Sequence, residues 1–304
     1  MSEALGDIEA YRPDLVALCY RMLGSVHEAE DLVQETYLRA WRSRTSFEGR
    51  SSVRTWLYRI ATNLCLTALQ GRARRVLPAG LGTPGEDPDV PLSASAPLWI
   101  EPFPDDPAQV AEQRWSLRLA LVASLQYLPA RQRAAFLLRE VLALPATEIA
   151  GILGTTVPAV KSALQRARAR LDELAPTPEK LTEPDSPEAR EVLAKYIAAF
   201  EAADIPALTR LLRDDATLDV VPTGLSLSGK SLCVPFFTEH VLTAPGHYRM
   251  HPTTANAQPA AVAYYRDTTS QPYRPFGLAV LTTDATQLVS ITTFMEPELV
   301  ARFE

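Results

Sequence analysis

The sequence predicts a multidomain protein in which two all-α modules, a helical bundle and a helix-turn-helix, precede an α+β domain with a curved, mostly antiparallel sheet. Three observations predict this class. Two proline-rich stretches interrupt the chain, apolar residues recur at helical spacing before and between them, and the last third changes from helical to strand-like patterning. The predicted modules span 1–75 and 112–175, the α+β domain spans 188–304, and linkers span 76–111 and 176–187.

Composition is that of a globular protein, with 304 residues, 47% hydrophobic content and a formal net charge of −6. No run approaches the ~20 apolar residues that span a bilayer, and the first residues lack the basic start and apolar centre of a signal peptide. The three cysteines are far apart, which favours reduced, buried thiols over a disulfide or a zinc site. We therefore expect a cytoplasmic protein without a membrane partner, a metal or a cofactor.

Charge is distributed unevenly along the chain. Residues 1–75 carry a net charge of +2 and residues 112–175 carry +4, whereas 76–111 and 176–304 carry −6 each. The segment 76–111 holds eight prolines, six acidic residues and no basic ones, which is typical of an extended linker. Any anionic partner is therefore expected to bind the two helical modules.

The first module contains a helical pattern over residues 27–41. One stripe is predicted to be buried, and it comprises Leu32, Val33, Thr36, Tyr37, Ala40 and Trp41. The opposite face carries Asp31, Gln34, Glu35 and Leu38. This face is either a docking surface for a basic, partly apolar partner or an ordinary solvated face, and the pattern alone does not separate the two.

A second helix follows over residues 52–75, with Val53, Trp56, Leu57, Ile60 and Leu64 on its predicted core stripe. The side chains left outside the stripe are Arg54, Arg59, Thr62 and Asn63, with Arg72, Arg74 and Arg75 closing the segment. Arginine binds phosphate, and the asparagine amide offers the paired donor and acceptor that read a base edge. The alternative is a solvated basic face, with the terminal arginines complementing the helix dipole.

Residues 147–171 read as two helices joined by a turn at Gly154. Ile149, Ala150 and Leu153 form the inner face of the first helix, and the buried stripe of the second comprises Val157, Val160, Leu164, Ala167 and Leu171. Thr155 or Thr156 can cap the second helix. Its outer face, with a basic character, favours a DNA-binding helix-turn-helix over a plain helical hairpin.

Three motifs, DLVQETYLRAW, FEGRSSVRTWLYRIATN and LPARQRAAFLLREVLALPATEIAGILGTTVPAVKSALQRARARL, resemble in order and spacing regions 2 and 4 of an extracytoplasmic-function (ECF) RNA polymerase sigma factor. The resemblance covers about residues 8–174 and implies two partners, core RNA polymerase and promoter DNA. It also accounts for the acidic chain, because the polymerase would supply much of the electrostatic attraction to DNA.

The resemblance implies a role for each matching residue. Asp31, Gln34, Glu35 and Leu38 would dock on the clamp helices of the largest polymerase subunit, while region 4 would meet the flap of the second-largest subunit. Arg54, Arg59, Thr62 and Asn63 would bind the −10 element, with Asn63 capturing a flipped base. Thr156, Pro158, Lys161, Ser162, Gln165 and Arg166 would bind the −35 element. The acidic linker would follow a path in the polymerase that otherwise holds RNA.

The last module begins with two amphipathic helices and continues with β-rich runs near 216–221, 247–255, 258–266, 274–283 and 286–294. That order resembles the SnoaL-like cone, and such an extension is typical of the SigJ/SigG-type subgroup of ECF sigma factors. A pocket in the cone would be lined by Asp219, His247, His251, Arg266 and Tyr248. We expect this domain to modulate activity in cis, through a ligand or a regulatory protein, rather than to act as an enzyme.

Two alternatives remain at this stage. A stand-alone helix-turn-helix regulator would need no docking helix, and a DNA-tethered cyclase-type enzyme would use Asp219 or His251 in turnover. No catalytic residue is predicted, and the sequence assigns no anti-sigma partner.

Overall fold

The structure is a computed structural model, and it describes residues 8–46, 52–77, 98–105, 117–174 and 186–304. The chain divides into two compact units, one comprising 1–75 and 100–175 and the other comprising 76–99 and 176–304. The two helical modules expected from the sequence thus belong to the same unit. Within the described ranges, no helix is long and apolar enough to cross a membrane.

The amino-terminal half of the first unit is a three-helix arrangement. A 3-10 turn at Ile8–Tyr11 leads into helix α1 (Arg12–Leu23), followed by α2 (Val26–Arg42) and, after a second 3-10 turn at Arg44–Ser46, by α3 (Val53–Ala68). Serine caps begin α2 and α3, because Ser25 Oγ accepts from Glu28 N at 3.3 Å and Ser52 Oγ accepts from Thr55 N at 3.1 Å.

The other half of the unit contains α4 (Leu119–Gln126), α5 (Ala130–Phe136) with a π-helical turn at Leu137–Val141, α6 (Ala146–Leu153) and α7 (Val157–Leu174). The turn between α6 and α7 passes through Gly154 at φ 59°, a left-handed conformation that glycine adopts without strain. Thr156 caps α7, since its Oγ1 accepts from Ala159 N at 3.3 Å. Both features match the predicted helix-turn-helix.

A short piece of the predicted linker is integrated into the first unit. The Glu101 carboxylate lies at the amino terminus of α2, where it accepts from Ser25 Oγ at 2.7 Å and from Val26 N at 2.8 Å. The backbone oxygen of Glu101 accepts from Tyr20 Oη at 2.8 Å. This acid therefore anchors the linker to α2, whereas most of the acids expected to follow an RNA path lie outside the described residues.

The second unit contains α8 (Pro187–Glu201), α9 (Ile205–Leu211), β1 (Leu212–Val221), β2 (Leu225–Ser228), α10 (Lys230–Phe236) with a π-helical turn at Phe237–Val241, β3 (Tyr248–Ala255), β4 (Gln258–Tyr265), β5 (Arg274–Thr283), β6 (Leu288–Phe294) and α11 (Pro297–Phe303). The strands form one sheet in the order β2-β1-β6-β5-β4-β3. All pairs are antiparallel except β1 with β6, in which Leu218 lies beside Ile291.

The core of this domain lies between the sheet and the helices. Leu218, Val220, Ala261 and Leu281 on the strands pack with Val192 and other residues of α8. Breaks in strand register, such as the one between Ala263 and Tyr264, accompany the bend of the sheet around this core.

The predicted fold class is confirmed: helical modules precede an α+β domain whose sheet is mostly antiparallel. Each β-rich run corresponds to a strand, but β2, α10, the π-helical turn and α11 were not predicted. Cys19, Cys65 and Cys233 are buried and free, as the sequence indicated.

Candidate nucleic-acid interface

The outer face of α2 carries the residues expected to dock on a partner. Asp31 and Gln34 are exposed, Glu35 is half-buried and bonded to Arg39 Nε at 2.7 Å, and Leu38 is 51% exposed. Spaced three or four positions apart, they form one continuous stripe of acidic, polar and apolar groups. An apolar side chain held in solvent among acids is suited to a basic, partly apolar partner.

Trp41 corrects the sequence prediction, because it is 62% exposed rather than buried. The buried stripe of α2 runs through Ala29, Val33, Thr36 and Ala40, and the position after Ala40 turns about 100° away from it. Arg44 stacks on the Trp41 ring, with its guanidinium carbon 4.1 Å from the ring centroid. Trp41 therefore extends the apolar surface that begins at Leu38, one helical turn earlier.

Helix α3 presents fewer of its expected DNA-binding side chains. Arg59 and Asn63 are exposed and lie one turn apart. Thr62 is 1% exposed, so it cannot contact DNA in this conformation, and its Oγ1 has no hydrogen-bond partner among the described residues. It belongs to the buried side with Tyr58 and Cys65, which lie four positions before it and three after it, the spacing of helical neighbours on one face.

Arg54 is engaged within the fold. Its Nε donates to Tyr58 Oη at 3.0 Å, and its Nη2 lies 3.7 Å from Asp14 Oδ2. Tyr58 Oη in turn donates to Asp14 Oδ2 at 3.0 Å. Burial raises the pKa of the Tyr58 hydroxyl, so the hydroxyl remains protonated as the link between the two charges. Arg54 therefore ties α3 to α1 in this conformation.

The arginines that close the segment also have intramolecular partners. Arg72 and Arg75 bind Glu28 at 2.5 and 3.1 Å, and Arg74 stacks over the Tyr127 ring at 3.9 Å. These arginines were expected to bind phosphate or to complement the helix dipole. In the structure they instead form contacts within the first unit.

Asn63 borders two recesses in the surface. One, of about 350 Å³, is lined by Arg39, Arg42, Ser43, Ile60 and Asn63. The other, of about 420 Å³, lies between α3 and α5 and includes Ala130 and Arg131. The first combines two arginines with an amide, which is the chemistry needed to hold a base and its phosphate.

Helix α7 presents its expected residues together. Thr156, Pro158, Lys161, Ser162, Gln165 and Arg166 are all exposed, while Val160, Leu164, Ala167 and Leu171 are buried. Arg168 pairs with Glu140 at 2.5 Å. Lys161 and Arg166 form no ion pair with any described residue, so their charges are available to phosphates.

The two halves of the first unit are joined by a buried polar cluster. Arg133 of α5 donates to the Met22 carbonyl oxygen, to Gln126 Oε1 at 2.5 Å and to the Gln126 and Leu128 carbonyl oxygens at 3.0 and 3.2 Å. Gln126 Nε2 donates to the Arg21 carbonyl oxygen at 3.2 Å. Burial lowers the pKa of Arg133 to about 10, so it stays charged near neutral pH and donates to the Met22 carbonyl oxygen at the end of α1.

The carboxy-terminal domain encloses a cavity of about 580 Å³. Tyr248 lines it, as the sequence indicated, but Asp219, His247, His251 and Arg266 do not, which corrects the predicted pocket. The strand alternation explains three of them, because Leu218, Val220, Tyr248 and Met250 face the cavity and the intervening residues face the other way. Arg266 holds a loop instead, with its Nε donating to the Gly246 carbonyl oxygen at 2.8 Å.

His240, in the π-helical turn, lines the cavity and was not predicted. No sequence pattern marks a π-helical turn, so only the fold places this residue. Over the described ranges, no cluster of three or more His, Cys, Asp or Glu side chains could hold a metal ion.

Comparison with known proteins agrees with this geometry. Residues 8–75 match the family model of Sigma-70 region 2, and residues 118–171 match that of Sigma-70, region 4. Over 304 aligned residues, 97% of this chain and 82% of the relative, the sequence is 46% identical to a curated ECF sigma factor. The chain therefore belongs to the ECF sigma factors of RNA polymerase.

That relative is the ECF RNA polymerase sigma factor SigG of Mycobacterium tuberculosis strain H37Rv. SigJ of the same organism is 32% identical over 214 residues, covering 70% of this chain and 63% of the relative. The crystal structure of M. tuberculosis SigJ has the same fold, with a TM-score of 0.66, 21% identity and 96% coverage of each chain. The predicted family, its function as a polymerase sigma factor and the fold class are thus confirmed.

Proposed function

We propose that this sigma factor docks on the clamp helices of the largest polymerase subunit through the outer face of α2, with Asp31, Gln34, Glu35 and Leu38 as the contact residues. The observation that carries the proposal is the exposed Leu38 flanked by acids. Trp41 extends this surface by one turn. The family resemblance implies a second contact with core polymerase, between region 4 and the flap of the second-largest subunit. Both contacts would form in the cytoplasm.

The docking surface can be tested with one apolar-to-acidic change. Leu38→Asp should abolish co-elution with core polymerase, because a carboxylate would be buried against the partner without a compensating charge. The matched control is Leu98→Asp, since Leu98 is also exposed, at 38%, but lies outside α2. Equal co-elution of both variants would refute this role for α2.

Promoter recognition is divided between two helices in this proposal. Arg59 and Asn63 of α3 would bind the −10 element, with a flipped base entering the recess between Asn63 and Arg42. On α7, Lys161 and Arg166 would bind phosphates, while Ser162 and Gln165 would meet base edges of the −35 element, with Thr156 and Pro158 at the entry of the helix.

We further infer that the carboxy-terminal domain modulates transcription in cis through a bound molecule rather than by catalysis. Similarity to SigG extends over 97% of the chain, so it includes this domain. Among the described residues that line the cavity there is no carboxylate, and the one imidazole, His240, is exposed. The short connection between α7 and α8 keeps the domain at high effective concentration near the sigma helices.

Run-off transcription with purified core polymerase on a genomic promoter library tests the whole assignment. The full chain is compared with a chain that ends at Leu174, where α7 ends. Both should co-elute with core and produce start sites that depend on the sigma factor, but at different rates. Identical output from the two would exclude modulation in cis, and absence of both transcripts and co-elution would exclude the proposed polymerase contacts.

A further inference from the structure

The cavity of the carboxy-terminal domain has the dimensions of a binding site. Its volume of about 580 Å³ falls within the ~300–1,000 Å³ of pockets that hold small organic ligands. It lies between α8 and the concave side of the sheet, and exposed His240 and half-buried Phe236 mark its solvent end. A water-accessible opening and a deep apolar interior occur together in this cavity.

The cavity exists because small side chains occupy positions that larger ones would fill. Ala263 on β4 and Ala279 on β5 are buried and line it, opposite the aromatic residues of α8. Protein interiors are normally packed to the density of organic crystals, so an apolar space of this size gains stability when a molecule fills it.

Aromatic rings form one wall. The Phe200 ring lies edge-on to Phe237 and Tyr248, with centroids 6.0 and 5.1 Å apart, and Tyr248 lies edge-on to Phe276 at 5.6 Å. Such a wall offers ring faces and edges to an apolar molecule that enters between them.

Two hydroxyl groups in the cavity have no hydrogen-bond partner in the described part of the chain. Tyr196 of α8 is only 1% exposed and Tyr248 is buried, and the side chains of both line the cavity. Burial raises the pKa of Tyr196 and that of Tyr248, the latter to about 12, so both remain neutral donors. Both hydroxyl oxygens are accessible from the cavity, so an oxygen acceptor on a bound molecule can receive a hydrogen bond from them.

The charges around the cavity restrict the ligand further. Among the described lining residues none is Lys, Arg, Asp or Glu, so a charged ligand would lose its hydration without gaining a counter-ion. We propose that the cavity binds an uncharged, predominantly apolar small molecule whose carbonyl oxygen accepts a hydrogen bond from Tyr196, the more deeply buried of the two tyrosines. This proposal rests on the proposed modulation of transcription in cis and specifies the class of molecule that would bind. The binding itself requires neither polymerase nor DNA.

Binding is measured on the full chain with Nile red, a neutral carbonyl-containing dye whose emission shifts to the blue in apolar surroundings. Saturable binding of one dye per chain is expected. Displacement is then compared for three matched compounds: benzophenone, diphenylmethane, which lacks the carbonyl group, and 4-benzoylbenzoate, which adds a negative charge. Benzophenone should displace the dye most effectively and the carboxylate least.

Two variants test whether the displacement order of the three compounds reflects binding in the cavity. Ala279→Leu fills the space and should remove dye binding while keeping the folded circular dichroism spectrum. Tyr196→Phe keeps the ring and should weaken benzophenone roughly threefold to tenfold without weakening diphenylmethane. Tyr264→Phe is the matched control, because Tyr264 is outside the lining, and it should change neither.

The proposal is overturned by absence of saturable dye binding, by equal or better displacement with the carboxylate, or by dye binding that survives Ala279→Leu in a folded protein. Because the assay contains no polymerase, a negative result would leave the proposed promoter contacts intact.

Discussion

Helices α3 and α7 are both expected to read promoter DNA, but the rest of the first unit covers part of α3 and leaves the outer face of α7 exposed. On α7 the whole outer face is exposed, and Lys161 and Arg166 have no ionic partner among the described residues. On α3, Arg54 is bound to Asp14 and Tyr58, Thr62 is buried, and Asn63 shares a recess with Arg131 of α5. The outer face of α7 is therefore accessible in this conformation, whereas the expected DNA-binding side of α3 is partly enclosed.

The difference arises from neighbours rather than from the helices themselves. Thr55 Oγ1 donates to Glu148 Oε2 at 3.0 Å, so α6 also lies along α3. A DNA strand that approaches Asn63 would meet region 4.

Breaking the cluster should have the largest effect. Arg133→Met removes the charge but leaves carbonyl oxygens of α1 and α4 buried without donors, at a cost of about 3 kcal/mol in the free energy of unfolding. Urea denaturation followed by circular dichroism measures the loss. Arg131→Met is the control, since Arg131 is exposed, and an equal loss in both would show that the cluster is not what joins the halves.

Removing the side-chain amide of Asn63 on α3 should have the second-largest effect. Asn63→Ala is expected to lower open-complex formation by about 1–3 kcal/mol in apparent free energy, because one base-edge contact is lost. Permanganate footprinting of the −10 region measures it, and affinity for a duplex carrying only the −35 element should not change. Loss of −35 affinity as well would mean that the substitution acts through folding.

A smaller effect is expected on α7. Arg166→Ala should weaken binding to a −35 duplex by about 1 kcal/mol and reduce the slope of log affinity against log salt by about one, as for loss of a single phosphate contact. The measurement is fluorescence anisotropy at several salt concentrations. Arg168→Ala is the comparison, because Arg168 is already paired with Glu140 and should change the slope less.

The smallest effect is expected at Thr62, where a substitution tests whether this buried residue contacts DNA. Thr62→Val keeps the shape and removes a buried hydroxyl that lacks a partner, so stability should stay equal or rise by less than about 1 kcal/mol. Promoter output should be unchanged in run-off transcription. A drop in −10 selectivity without loss of stability would return Thr62 to the DNA interface.

Helix periodicity predicted much of the fold and of the site. Four residues of α7, Val160, Leu164, Ala167 and Leu171, were assigned correctly to the buried face because they follow the 3.6-residue repeat, whereas Val157, also predicted to be buried, is half-buried. Trp41 was placed wrongly because apolarity alone does not reveal where a helix end passes beyond its neighbours. Thr62 was placed wrongly because a small polar residue at the stripe's border is compatible with either side.

The cavity illustrates a different limit. Strand positions were predicted well, but alternation has a period of two, so an error of one position exchanges the two faces of a strand. Tyr248 was predicted correctly to face inward, but His247 and His251 were expected to do so as well, whereas Met250 lines the cavity in their place. Small residues such as Ala263 and Ala279 carry no sequence signal for a cavity, since an unfilled volume depends on what stands opposite them.

The strand order has a consequence for how this chain is made. Strand β6 lies between β1 and β5, so the strand that joins the two parts of the sheet is synthesised last. The helical unit is complete once α7 ends at Leu174, while the sheet cannot close until the ribosome has released β6. During each round of translation there is thus an interval in which the helices of the first unit can fold but the sheet of the second cannot close, and slow decoding between Leu174 and Phe294 would lengthen it.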